Sequence, residues 1–301
     1  MGVTLSRYKR SFSLAGDNKI SQGKDTKILS ISPTALEISH QASEPPRRWF
    51  LGIPFTPLGL AEAAAYIAAR CPGAPFAFVT TPNAQHAVGV AAGDRRFRVA
   101  HDKSWLTLND SSILRLLSRR LFGRDLPQAA GSDLTAFLFR NYIRPADSIT
   151  VVGGTDEVEH RLRTQFGLQS LARYNPPMGF YKDPAEIERC VDFLLTHPAR
   201  YVFLAVGAPQ SETVACRLLE RGGGIGTALC IGSSLHFVTG VVRRAPPIFR
   251  RLNAEWAYRL MQNPRRHARR VLLQSLPVLW IAMKFRFNPR QRDWQERVER
   301  P

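Results

Sequence analysis

Cysteine is scarce in this chain of 301 residues: only Cys71, Cys190, Cys216 and Cys230 occur, and no two form a C-x-x-C pair. That argues against a structural zinc site or a disulfide scaffold and fits a reducing compartment. Long apolar runs are missing as well. No stretch of about 18 uncharged apolar residues exists, so a membrane-spanning helix is not expected. Histidines never pair at i, i+4, and no His/Cys cluster occurs, so no bound metal and no cofactor is expected. Neither G-x-G-x-x-G nor G-x-x-x-x-G-K-[ST] is present, which leaves a conventional dinucleotide or P-loop site unsupported. The early Arg and Lys residues precede no apolar core of about 7–15 residues, so no secretory signal is expected.

What is present points to a globular protein. A hydrophobic share of 44%, with five Trp and 17 Phe, supplies a real core and excludes a wholly disordered chain. The length suits one large or two ordinary domains. The formal charge of +18 is unevenly spread. Residues 1–48 carry eight basic and four acidic side chains, residues 49–242 carry 19 and 16, and residues 243–301 carry 15 and four. The basic excess therefore belongs to the last segment. It suits a solvated surface, an anionic membrane face, a phosphate-bearing substrate or nucleic acid.

Three segments follow: a disordered leader over 1–46, an α/β core over 47–242, and a basic helical appendage over 243–301. Residues 1–45 are rich in Ser, Lys, Thr and Gln and show little apolar periodicity. A short strand is expected at Trp49–Ile53, closed by Pro54, and then a helix from Leu58 to Ala69. Phe76–Thr81 reads as a buried strand that turns at Pro82-Asn83 into a helix from Ala84 to Ala92. Trp105–Leu108 is a third strand, and Asn109-Asp110-Ser111-Ser112 leads into a helix from Ile113 to Leu121. Ser148–Val152 runs into Gly153-Gly154, Tyr201–Val206 into Gly207-Ala208-Pro209, and Thr227–Ile231 into Gly232-Ser233-Ser234. Repetition of apolar strand, small-residue turn and helix predicts a mostly parallel, Rossmann-like sheet flanked by helices. In such folds ligands bind beyond the carboxyl ends of the strands, where these turns fall. The segment Val271–Met283 is apolar but interrupted by Gln274, Ser275 and Pro277. It suits an interfacial membrane helix, or equally one packed on the main domain.

Several positions carry chemistry together with a plainer structural alternative. Glycine turns at Gly153-Gly154, Gly207 and Gly222-Gly223-Gly224 let backbone N–H groups approach a phosphate, or simply make tight turns. Asp110 suits a general base, but an Asp in an Asn-Asp-Ser-Ser turn is more often the N-cap of the following helix. Thr81 and Asn83 suit contacts to a sugar or diphosphate, or a helix cap, and Asp133 after Gly131-Ser132 is equally ambiguous. Arg251, Glu255, Tyr258 and Arg259 share a helical face on which guanidinium groups suit a diphosphate, unless they pair with Glu255.

Taken in order, Thr81-Pro82-Asn83, Asp110, Gly131-Ser132-Asp133, Gly153-Gly154, Gly207-Ala208-Pro209 with Glu212, Gly232, Thr239-Gly240, Arg244-Ala245-Pro246, Glu255-Trp256 and Arg259-Leu260 form a set. That set, over roughly residues 50–285, resembles the WecG/TagA/CpsF glycosyltransferases, in an exopolysaccharide-type member. The resemblance implies an inverting, metal-independent transferase with a Rossmann-like core. It also implies a C-terminal appendage that meets the membrane and helps close the site. Asp110 matches the family's proposed base, and Thr81 and Asn83 match pocket residues. Gly207, Ala208, Pro209, Gln210 and Glu212 match the loop assigned to the UDP moiety, with Gly131, Ser132, Asp133, Gly153, Gly154 and Gly232 completing the donor site. Arg244, Arg251, Arg259, Arg265 and Arg266 match residues expected to hold a lipid diphosphate. Four positions depart from the pattern: Ser111 replaces a common Gly, Ser211 a Gln, His236 an Asp, and Asn253-Ala254 the Gly-Leu before Glu255-Trp256.

The expected function is therefore transfer of a sugar from a UDP-sugar to a polyprenyl-diphosphate-linked acceptor at the cytoplasmic membrane surface. The expected location is cytoplasmic, peripheral on the inner face of the membrane. Self-association is left open. A nucleic-acid-binding α/β protein is the competing reading, but no helix-turn-helix, RNP-like pattern or aromatic ladder supports it. An NAD-dependent oxidoreductase lacks its fingerprint glycines.

Overall fold

The computed structural model describes residues 45–243 and 276–288, all within the unit Glu44–Pro301. The expected leader, apart from its last two residues, lies outside the described residues. So does most of the expected appendage, including Arg244, Arg251, Arg259, Arg265 and Arg266.

The chain enters through a hairpin rather than the single strand expected at Trp49–Ile53. Here β1 (Arg48–Phe50) pairs antiparallel with β2 (Ile53–Phe55), Trp49 opposite Pro54. The turn is Leu51-Gly52, with φ of 52° and 79°. Two successive positive φ values match the twist of a two-residue hairpin, so the chain reverses where the apolar run suggested continuation.

The hairpin is followed by α1 (Leu60–Ala69), β3 (Ala77–Thr80), α2 (Ala84–Ala91), α3 (Arg95–Lys103), β4 (Leu106–Thr107), α4 (Ser112–Phe122) and α5 (Gly131–Asn141). The second half contains β5 (Ser148–Gly153), α6 (Asp156–Phe166), β6 (Ser170–Tyr174), a 3-10 turn at Phe180–Lys182, α7 (Pro184–Thr196), β7 (Tyr201–Ala205), α8 (Gln210–Arg221), β8 (Thr227–Cys230) and α9 (Ser234–Val238). Six strands form one sheet in the order β4-β3-β8-β7-β5-β6. Every pairing in it is parallel, with Val151 opposite Phe203 and Phe203 opposite Leu229. The expected α/β class and parallel sheet are what the fold contains.

The period-two alternation of the strands sorts their side chains into two cores. Ile149, Val151, Tyr201, Phe203 and Leu229 face α1, α5, α6 and α9, where they meet Ile67, Leu138, Leu162 and Leu235. Val152, Val202, Leu204 and Ala228 face α3, α7 and α8, meeting Ala100, Val191 and Leu218. Burying each large aliphatic or aromatic side chain contributes about 1.5–3 kcal/mol. A third cluster joins the hairpin to α2, α4 and the next described helix, α10 (Pro277–Phe287).

Helix α10 begins inside the apolar segment Val271–Met283, which suits membrane contact and packing equally, and runs four residues past it. One face does pack: Val278 and Ala282 are buried against α2 and α4. Its other face exposes Leu279, Trp280, Met283 and Phe287, the last at 74%, and Lys284 lies over the Trp280 ring at 5.1 Å. Among the described residues, no helix is long and apolar enough to cross a membrane.

Candidate active site

A cleft of about 630 Å³ opens at the carboxyl ends of β3, β8 and β7. The predicted residues Thr81, Asn83, Asp110, Gly131, Ser132, Gly207, Ala208, Glu212 and Gly232 all line it. With them stand Gln85, His86, Ser211, Ser233, Ser234 and Phe237, from elements spread along most of the chain.

Asp110 behaves differently from the cap that its turn suggested. The N-cap of α4 is Ser111, whose hydroxyl accepts from the Leu114 N–H at 3.3 Å. Asn109 forms the turn itself: buried, it accepts from the Ser111 N–H at 2.9 Å and donates to the Leu126 carbonyl at 3.3 Å. Asp110 is thereby turned across the cleft, where its Oδ1 accepts from the Gly131 N–H at 2.7 Å. That N–H opens α5, so the carboxylate sits at the positive end of a helix. The Ser111 departure has a local reason, since a glycine there would remove the cap.

Thr81 and Asn83 hold the rim together. The Thr81 hydroxyl donates to the Cys230 carbonyl at 3.0 Å, joining β3 to β8 at the end of their pairing. A Cβ on Gly131 would stand 3.0 Å from the Thr81 hydroxyl, so α5 starts in close contact with this rim. Asn83 is the N-cap of α2, its Oδ1 accepting from the Gln85 N–H at 2.9 Å. Its amino group is the donor it retains. On the third side, Ser211 donates its hydroxyl to the Leu204 carbonyl at 2.9 Å, closing the loop between β7 and α8. This ties the family-departing serine to main chain.

The remaining predicted donor-site residues do not line the cleft. Gly153 has φ of 98°, and a Cβ there would meet the Ala205 carbonyl oxygen at 2.9 Å. Close strand approach accounts for this glycine, without any phosphate. Gly154 follows at φ 78° and leads into α6. Asp133 lies in the first turn of α5, while Pro209 precedes α8 and Gln210 begins it. Gly222-Gly223-Gly224 follows α8 rather than a strand, so it lies at the opposite end of the sheet, where the Gly224 carbonyl accepts from the Phe76 N–H at 2.9 Å. His236 is in α9 and does not line the cleft; its Nδ1 is buried without a hydrogen-bond partner among the described residues.

Sequence reading missed His86, which is buried at 4% exposure. Its Nδ1 accepts from the Asn83 N–H at 3.1 Å, and its Nε2 stands 3.8 Å from Glu212 Oε1. A capping Asn followed three residues later by a side chain that reaches back was the available signal. Glu212 is 2% exposed, and its Oε2 has no hydrogen-bond partner among the described residues. Burial pushes its carboxyl up to about 7, opposed by a hydrogen bond from its own backbone. Behind His86, the His101 ring lies 5.6 Å away and its Nδ1 is 3.2 Å from the Thr80 hydroxyl. Burial, and then the neighbouring His86, hold His101 well below its ordinary value.

The ionisable lining is therefore acidic and imidazole, from Asp110, Glu212 and His86, with the thiol of Cys230. Among the described residues no Lys or Arg lines the cleft. Positive potential comes instead from the N-termini of α2, α5 and α8, whose first turns all contribute lining residues. A carboxylate facing helix N-termini across a water-accessible gap can take a proton from a hydroxyl while N–H groups hold an anionic leaving group. Among the described residues, no group of three or more His, Cys, Asp or Glu stands together to hold a metal ion. A sequence model described as the glycosyl transferase WecG/TagA/CpsF family matches residues 48–292.

Proposed function

The chain belongs to the WecG/TagA/CpsF family of glycosyltransferases, and from that premise we propose that it moves a sugar from a UDP-sugar to a polyprenyl-diphosphate-linked saccharide during exopolysaccharide assembly. Family membership makes it a glycosyltransferase of cell-surface polysaccharide synthesis. The observation that carries the finer reading is Asp110. Its carboxylate lines the same cleft as the α5 and α8 N-termini, and it is held at 2.7 Å by the first N–H of α5.

In this mechanism the acceptor hydroxyl attacks the anomeric carbon and gives its proton to Asp110. The bond from that carbon to the β-phosphate oxygen breaks, the configuration inverts, and UDP leaves. Charge growing on UDP is met by N–H groups at the start of α8 and by arginines of residues 244–275, which lie outside the described residues. The loop Gly207-Ala208 supplies a close main-chain approach, Gly207 having φ of 86°. The acceptor approaches from a membrane on its cytoplasmic face. The apolar outer face of α10 supports that placement, with Trp280 and Phe287 exposed beside Lys284 and Arg286. Co-sedimentation of the full chain with anionic vesicles tests it, and recovery in the supernatant at low salt removes it.

The decisive experiment assays the full chain against UDP-glucose, UDP-galactose, UDP-N-acetylglucosamine and UDP-N-acetylmannosamine, with a short-chain lipid-diphosphate saccharide as acceptor. Replacing Asp110 by Asn keeps an acceptor for the Gly131 N–H and is expected to lower kcat by about 10²–10⁴-fold with unchanged melting. Unchanged kcat removes Asp110 from the role of base.

A further inference from the structure

Resting on the UDP-sugar reading, we propose that His86 is a positioning residue, aiming the Glu212 carboxylate into the cleft as the acceptor for a hydroxyl or N–H of the donor nucleotide. Neither the Asp110 chemistry nor the family pattern uses His86.

The argument starts from the tautomer. The Asn83 N–H points at His86 Nδ1 over 3.1 Å, so that nitrogen must present its lone pair. In the neutral ring the proton then sits on Nε2, and Nε2 faces Glu212 Oε1 at 3.8 Å. The imidazole thus joins two cleft elements, the first turn of α2 and the first turn of α8. It is wedged in place, with the Phe97 ring 4.7 Å and the His101 ring 5.6 Å from its own. With Oε1 turned toward the imidazole, the other carboxylate oxygen is the anomaly. Glu212 Oε2 is buried, has no partner among the described residues, and belongs to a side chain lining the cleft. A buried carboxylate oxygen without a donor is costly unless something supplies one. A ribose hydroxyl or a uracil imide N–H is a donor of the right kind.

The surroundings isolate this pair. Cys216 on α8 and Cys230 on β8 are thiols pushed up by burial, Cys216 to about 12. His101 on α3 is pushed down by burial and stays neutral. Asp110, at the end of β4, is the other carboxylate lining the cleft. Within the buried pocket, Glu212 is the group that burial raises toward neutrality, to about 7. A ligand donor favours the ionised carboxylate, so binding is expected to tighten as pH rises through the Glu212 value of about 7.

UDP-glucose is the probe, because its phosphodiesters do not titrate in this range. Calorimetric titration of the full chain between pH 6 and 8 is expected to give a Kd about 10-fold lower at pH 8, the response of one group. Glu212→Gln is expected to bind weakly with a flat profile. Two histidine variants separate positioning from mere capping. His86→Asn retains an acceptor for the Asn83 N–H but cannot reach Glu212, and is expected to raise Kd and flatten the profile at near-normal melting temperature. His86→Gln reaches Glu212 and gives up the cap, so it is expected to keep the affinity and pH response of the parent while melting lower. The reverse pattern, or a flat or inverted profile in the parent chain, overturns the proposal and leaves the donor reading standing. Absence of UDP-glucose binding at every pH overturns both.

Discussion

The two ends of the central sheet handle buried charge differently. At the amino ends, arginines are locked onto main chain. Arg70 donates to the carbonyls of Gly226, at 2.8 Å, and of Pro75. Arg200 donates to Ala68 at 2.8 Å and pairs with Asp147 at 2.9 Å. At the carboxyl ends, the cleft holds Glu212 with an oxygen lacking a partner among the described residues and three helix N-termini opening into the same space. One end ties its guanidinium groups to main chain and gains rigidity, although Arg200 Nε and the Tyr201 hydroxyl are buried there without a partner among the described residues. The other leaves groups waiting for a ligand, and that costs stability where function needs it.

The contrast can be broken most severely from the rigid end. A Cβ on Gly226 would lie 1.9 Å from the Ala199 carbonyl oxygen, at φ of 83°. Gly226→Ala is therefore expected to cost about 3 kcal/mol or more, read as insolubility or a large loss in denaturant melts. Next comes the open end, through pH. Glu212 is raised in the fold, so it keeps its proton between its unfolded value near 4.5 and about 7 while the unfolded chain loses it. Its contribution is present at low pH and is lost as pH rises through that window, by about 3 kcal/mol. His101 acts oppositely: it is held neutral, so stability falls as pH drops below about 6.5. Wild-type stability is expected to vary little between pH 5 and 7 because these slopes offset. Glu212→Gln removes one of them, and chemical melts of that variant should show stability rising with pH; a slope equal to the parent's contradicts the buried-carboxylate account. The smallest effect belongs to Arg70→Ala, about 1–2 kcal/mol from lost hydrogen bonds to main chain. Transfer activity should survive it at temperatures below melting, because Arg70 sits at the far end of the sheet from the cleft; a specific loss of kcat would show that the two ends are coupled.

The same division marks what the sequence made readable. Strands β5, β7 and β8 are continuous apolar runs ending in glycine, the pattern of a strand buried on both faces, and they are where the sequence placed them. The edge strand β6, Ser-Leu-Ala-Arg-Tyr, pairs only with β5 and is half polar, so no apolar run announced it. Helix α3 escaped notice because its buried stripe is three residues, Phe97, Ala100 and His101, one of them polar, in a strongly charged segment. Turns after strands exposed Asp110, Thr81 and Asn83 as cleft residues. They did not reveal Asp110's partner, Gly131, because 21 positions separate the two. At Gly153 a neighbouring carbonyl is by itself enough to demand glycine, a contact that the turn pattern does not show. His86, Arg70 and Arg200 share a further obstacle: their partners lie on distant elements or are main-chain atoms that any residue could supply.

The placement of α9 and α10 constrains the basic stretch between them. Ser234 and Phe237 of α9 line the cleft, and the chain leaves the described residues soon afterwards, at Arg243. It returns at Leu276 to enter α10, which packs on α2, the helix that carries Asn83 and His86 at its first turn. The two described ends of that stretch therefore both stand at the cleft, α9 lining it and α10 backing the helix that carries His86.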